Sequence, residues 1–193
     1  MATIGHLAAG ALCGAVYSRA TGAKPVSAVV AFAALAGAPD LDLLLIPFGL
    51  EETPFAHRAI THSLPFAVAI GVLAGSLART RLRSVLLGVL TVVALASHGL
   101  LDALTRTGRG PKLLWPFSST RFSFDWQPIP GTDSFQEYFT LDAAPIYAQE
   151  LVLHLPLIVL TLLILVWRRG LVEPATVGVG SSQAGAGQDP QPL

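Results

Sequence analysis

The chain has 193 residues, of which 52% are hydrophobic and 12% charged, with a mean hydropathy of +0.61, above what a soluble domain of this size carries. Twelve basic residues balance twelve acidic ones, which removes the global positive field of a nucleic-acid binder; no nucleic-acid partner is expected. The single cysteine, Cys13, excludes an internal disulfide and a thiolate-rich zinc or iron–sulfur site, so any metal must be held by nitrogen and oxygen.

Residues 7–16 are apolar, but no Lys or Arg precedes Arg19. The basic start of a secretory signal is therefore missing, and the segment reads as a retained helix. Further apolar stretches follow at 26–50, 64–78, 85–104 and 146–167. A bilayer core needs about 20 apolar residues, so the first stretch, at 4–17, and the third must tilt, thin the bilayer or enter partway. The expected fold is all-α, an integral membrane bundle of about four to five short transmembrane helices. Residues 1–170 form its helical membrane domain and 106–145 an extramembrane loop, too polar and too rich in Pro and Gly to span. Residues 171–193, rich in Gly, Ser, Gln and Pro, lack the apolar content to pack and read as a disordered tail.

Positive charge gathers at Arg19 with Lys24, at Arg79, Arg81 and Arg83, and at Arg168 with Arg169. If every stretch crosses once, all three groups share one side, which the positive-inside rule assigns to the cytoplasm. Arg106, Arg109, Lys112 and Arg121, in the opposite loop, argue the other way.

Ionisable residues interrupt the apolar stretches. Asp40 and Asp42 lie in Ala-Pro-Asp-Leu-Asp; a carboxylate at mid-bilayer costs about 2.5–3.5 kcal/mol, so the pair needs compensation. A metal ion would supply it, and Pro39 is expected to bend the chain so that both turn to one site. The plainer reading is a helix end at the water interface. His57 and His62 flank Arg58 and Thr61 before the third stretch, where a loop can converge two imidazoles on one ion. Thr61 or Ser63 is placed to cap the helix beginning near Leu64. His98 and Asp102, at i and i+4, share a helical face and can grip one ion or pair with each other. His6 and Glu150 lie in the first turns of the first and last stretches, with His154 one turn deeper.

The topology brings His6, Asp40, Asp42, His57, His62, His98, Asp102 and Glu150 to one membrane face, with the basic groups at the other. All eight are candidate metal ligands; Arg58, with its forked donors, is the candidate catalytic cation that would neutralise charge developing on a substrate. Imidazole and carboxylate suit zinc first, with manganese and iron as alternatives.

Taken in order, His6, Pro39-Asp40-x-Asp42, His57-Arg58-x-x-Thr61-His62-Ser63 and His98-x-x-x-Asp102 resemble the YdjM-type family of bacterial inner-membrane proteins, described as metal-dependent hydrolases. The likeness runs from about Gly5 to Trp115 and continues in Leu114-Trp115-Pro116-Phe117-Ser118; beyond it Glu150 is carried by position alone. The family is in turn distantly similar to the all-helical zinc phospholipase C and P1 nuclease group, although this chain lacks that group's N-terminal Trp ligand. The resemblance implies a bacterial inner-membrane, multi-pass hydrolase, its site facing outward by the charge count. One or two metal ions would activate water against a phosphoester or a lipid-linked substrate. Trp115, Phe117, Phe122, Phe124 and Trp126 could rest at the headgroup level or pack the loop onto the bundle. The rival class is non-enzymatic: a metal or proton transporter, or a structural partner whose polar cluster holds helices together. Oligomeric state is not legible.

Overall fold

A computed structural model describes residues 3–49, 53–107, 109–132, 137 and 140–170, with side chains to Trp167. The expected tail at 171–193 lies outside the described residues, as do parts of the 106–145 loop. Among the described residues the fold has five α-helices: α1 (Thr3–Thr21), α2 (Pro25–Gly37), α3 (Leu64–Ser76), α4 (Arg81–Ala103) and α5 (Ala144–Gly170). Among the described residues there is no strand, only an isolated bridge between Thr105 and Ile129.

Among the described residues, three stretches are long and apolar enough to cross a membrane: Pro25–Phe48, Arg81–Ala103 and Leu141–Trp167. Leu64–Ser76 is a shorter apolar helix. Their outer faces carry exposed side chains such as Val30, Val72, Val89 and Leu163, as lipid-facing surfaces should.

α1 packs against α2, α4 and α5. Its small residues allow this. A Cβ on Gly10 would lie 2.3 Å from the Phe32 carbonyl oxygen, and one on Gly14 2.4 Å from that of Ala28. Without side chains there, α1 and α2 meet backbone to backbone, the packing mode that small residues permit between membrane helices.

The expected bend at Pro39 takes a specific form. α2 does not stop there but tightens into an 11-residue 3₁₀ segment, Ala38–Phe48. Ala38, despite preceding a proline, keeps right-handed helical angles of φ −60° and ψ −31°. A 3₁₀ segment eclipses every third residue, so Pro39 and Asp42 point together into the bundle while Leu41 and Leu44 face out. α3 begins as anticipated: Ser63 accepts a 3.2 Å hydrogen bond from the Phe66 N–H. Thr80 caps α4 in the same way.

Arg83 donates to the Thr21 carbonyl, which ties the start of α4 to the end of α1. Arg19, Arg81 and Arg83 thus belong to one end of the bundle. The N-terminus of α1, the C-terminus of α4 and the N-terminus of α5 form the other.

Candidate metal centre

At that other end, four side chains from three parts of the chain converge. Asp40 comes from the 3₁₀ segment, His62 from the short 3₁₀ turn Ile60–His62, and His98 and Asp102 from the last turns of α4. One ligand atom from each lies within 4.8 Å of the others, and only Asp40 is more than marginally exposed. His62 Nε2 and His98 Nε2 are 3.1 Å apart. Asp40 Oδ1 lies 3.6 Å from the first and 3.4 Å from the second; Asp102 Oδ2 lies 3.4 Å from His62 Nε2.

The neighbours determine which ring nitrogen is bare. The Nδ1 of His98 is 2.7 Å from the Ala36 carbonyl, which can only accept, so Nδ1 carries the hydrogen and Nε2 a lone pair. Thr61 gives its one hydroxyl hydrogen to Asp42 at 2.7 Å and lies 3.0 Å from His62 Nδ1. His62 Nδ1 is therefore the donor, and its Nε2 is free to bind. Two such lone pairs facing each other beside two carboxylates repel unless a proton or a cation lies between them. His62 stands just outside the candidate spans. Burial pulls its pKa down, but the carboxylates of Asp102, Asp40 and Asp42 outweigh this and hold it well above the ordinary histidine range.

Asp42 is the organising carboxylate. It accepts from His57 Nδ1 at 2.6 Å, from the Arg58 N–H at 3.3 Å and from Thr61, and it lies 3.3 Å from His62 Nδ1. Asp42, His57 and His62 form a second group with metal-binding spacing. The His57 side chain is 24% exposed, which makes it the accessible edge of the cluster.

Arg58 is buried, with a positive φ of 65°. Its Nε forms a 3.0 Å ion pair with Asp102, and its terminal nitrogen donates to Thr107 and to the Arg109 carbonyl. The guanidinium thus joins Asp102 to the long loop. The Arg58 carbonyl accepts from Lys112 N–H, fastening the same loop again.

The remaining candidates flank the cluster. His6 stacks on His98 with ring centroids 3.6 Å apart and planes 15° off parallel. Its Nε2 is 3.5 Å from Asp102 Oδ1, and among the described residues neither of its nitrogens has a hydrogen-bond partner. Glu150 is fully buried, and its Oε2 accepts the Ile4 N–H at 2.9 Å, satisfying an orphan donor at the start of α1. Its other oxygen has no such partner among the described residues. His154 donates from Nδ1 to the Glu150 carbonyl, and its ring fills the space beside Gly5, where a Cβ would fall 2.6 Å from Nε2. His154 belongs to neither metal-spaced group.

Two kinds of partner were not readable from sequence. The Ala36 carbonyl that orients His98 leaves no trace in residue type. Thr61 stood out only as a capping candidate, whereas its hydroxyl links Asp42 to His62.

The fold and the cluster together define a helical membrane protein with a buried His and Asp constellation able to hold a metal ion. The chain belongs to the YdjM inner membrane protein family, whose profile matches residues 1–172. Among characterised sequences it is similar to the inner membrane protein YbcI of Escherichia coli (strain K12), 41% identical over 98 residues. That match covers 49% of this chain and 57% of the relative, so the chain spans little more than half of YbcI's length. No solved structure matches the chain.

Proposed function

We propose that this protein is a membrane-embedded, metal-dependent hydrolase acting on a phosphoester or a lipid-linked substrate. The observation that carries the reading is that one ligand atom each of Asp40, His62, His98 and Asp102 lies within 4.8 Å of the others, four of their six separations falling between 3.1 and 3.6 Å. A tetrahedron with bonds of about 2.0–2.1 Å to nitrogen and oxygen has edges of roughly 3.3–3.4 Å, which is the preferred geometry of zinc. Calcium favours six to eight oxygens at longer range, and two imidazoles disfavour it; manganese and iron share the donor preference.

These four residues would hold the ion, with Asp42 and His57 beside His62 offering a second position. When bound, such a metal supplies Lewis acidity and a water of lowered pKa. The chain's own residues do the rest. Asp42 and the Ala36 carbonyl fix the two imidazoles with Nε2 inward, the supporting arrangement that metal-binding histidines require. Arg58 acts through Asp102 as a positioning residue. His6 closes one side of the cluster by stacking on His98, and Glu150 anchors the start of α1 that carries His6.

Further parts of the proposal follow from charge and composition. Residues 1–170 act as one membrane domain with 106–145 outside the bilayer, and the basic end faces the cytoplasm so that the cluster faces outward. A reporter fused after Arg169 should read as cytoplasmic; an extracytoplasmic signal would reverse the orientation. Activity is tested with detergent-purified protein on a panel of chromogenic phosphoesters. Turnover should be lost in Asp102→Ala and on chelation, and restored to wild type by adding zinc or manganese. Metal retained without turnover on any ester would favour transport instead.

A further inference from the structure

On the surface of the bundle, a groove of about 420 Å³ runs between the long loop and the N-terminal part of α5, the part that carries Glu150 and His154. Its loop wall is Pro128 and Pro130; its helix wall is Ala148, Gln149, Val152 and Leu153. The helix residues recur at i, i+1, i+4 and i+5, one face of α5, adjoining the face that turns Glu150 and His154 inward. α5 is a candidate membrane span by length and composition, so this face, near its N-terminal end beside the 106–145 loop, would sit at the boundary between headgroups and hydrocarbon. The groove is almost wholly apolar, and its volume falls in the range of small-molecule sites.

Its position relative to the cluster is fixed by backbone pairing. Ile129, buried between the two prolines, donates from its N–H to the Leu104 carbonyl, and its carbonyl accepts from the Arg106 N–H. The loop wall is thereby fastened to the chain that leaves α4 directly after Asp102. Arg106, whose backbone pairs with the residue between the two groove prolines, is exposed.

From this we infer that the groove seats the hydrocarbon tail of a phosphate-headed lipid, with the phosphate drawn to Arg106 and so held beside the metal centre. The inference rests on the hydrolase reading for its meaning and names the substrate class of that site: an amphiphile taken laterally from the bilayer. Apolar walls on a membrane-facing helix recognise the tail, and Arg106 the anionic head.

The test uses the full chain in nanodiscs and a long-chain alkyl phosphate bearing a diazirine on its tail, with an alcohol-headed analogue of the same length. After irradiation, peptide mapping should place adducts at Pro128, Pro130, Val152 and Leu153. Val152→Trp, at a position already 73% exposed, should lower them about tenfold, as losing roughly two buried methylenes would. Arg106→Gln should bring the phosphate probe down about threefold, to the level of the alcohol, without altering metal content. Adducts spread evenly along α5 to Leu163 and Val166, or equal labelling by the two probes, would overturn the inference. Metal content on the same sample separates the two claims: groove labelling without metal sinks the hydrolase reading alone, and metal with unselective labelling sinks only the lipid seat.

Discussion

His62 and His98 present their Nε2 atoms to each other at 3.1 Å, while Nδ1 of each is held from behind by oxygen: Asp42 and Thr61 for the first, the Ala36 carbonyl for the second. In the metal-free protein the carboxylates around His62 favour a proton on its Nε2, shared with His98 Nε2, and a metal ion bound there would take that proton's place.

Asp42→Asn should expose the supporting role of that carboxylate. The amide keeps the shape but cannot accept from His57, Arg58, Thr61 and His62 together. Zinc affinity, measured by competition with a chromophoric chelator, should fall about 10- to 100-fold, with full loading recovered at high zinc. Unchanged affinity would show that Asp42 does not orient His62.

Arg58 combines a charge role with a backbone one. Removing its guanidinium leaves Asp102 buried without its cation, so Arg58→Ala should destabilise the metal-free protein by about 3 kcal/mol. The positive φ of 65° makes Arg58→Gly the milder change, more stable than Arg58→Ala by about 1 kcal/mol. Thermal unfolding of both variants with and without chelator checks the order. Added metal should reduce the loss in both, because a bound cation compensates Asp102.

Gly99 lies against the backbone of the site. A Cβ there would be 2.4 Å from the His62 carbonyl oxygen, which cannot rotate away as a flexible side chain could. Gly99→Ala should cost about 1–3 kcal/mol and weaken metal binding while the far-UV helical signal persists. Wild-type metal affinity would mean that His62 is not held where α4 meets it.

Glu150→Gln preserves an acceptor for the Ile4 N–H, whereas Glu150→Ala removes it. If Glu150 serves as a cap, the Gln variant should keep wild-type stability and metal content, and the Ala variant should lose about 1 kcal/mol. Metal loss in Glu150→Gln would make the carboxylate a ligand instead.

The helices were legible because their signal is local. Apolar runs placed α3, α4 and α5, and Thr61 or Ser63 marked the start of α3, with Ser63 making the cap. The motif residues were legible for the same reason: ionisable groups stand out in an apolar chain, and His98 with Asp102 share a face by spacing alone. What sequence could not supply was each group's far partner. The long 3₁₀ segment after Pro39 sets the outlook of Asp42, yet nothing in Ala38–Phe48 announces it over an ordinary bend. Arg58 reads in sequence as a free fork; in the fold it is joined to Asp102, Thr107 and Arg109, contacts made some fifty positions away. His6 was placed near the cluster by topology, but its stacking on His98 is a tertiary fact.

The central claim is that Asp40, His62, His98 and Asp102 hold a metal ion. The most direct measurement is elemental analysis of the detergent-purified full chain beside His98→Ala and Asp102→Ala, each confirmed folded by circular dichroism. The account predicts about one zinc or similar transition metal per wild-type chain, and a loss to a small fraction of that in both variants. A folded wild-type protein that binds no metal even when zinc is supplied, or variants that keep the full complement, would contradict it.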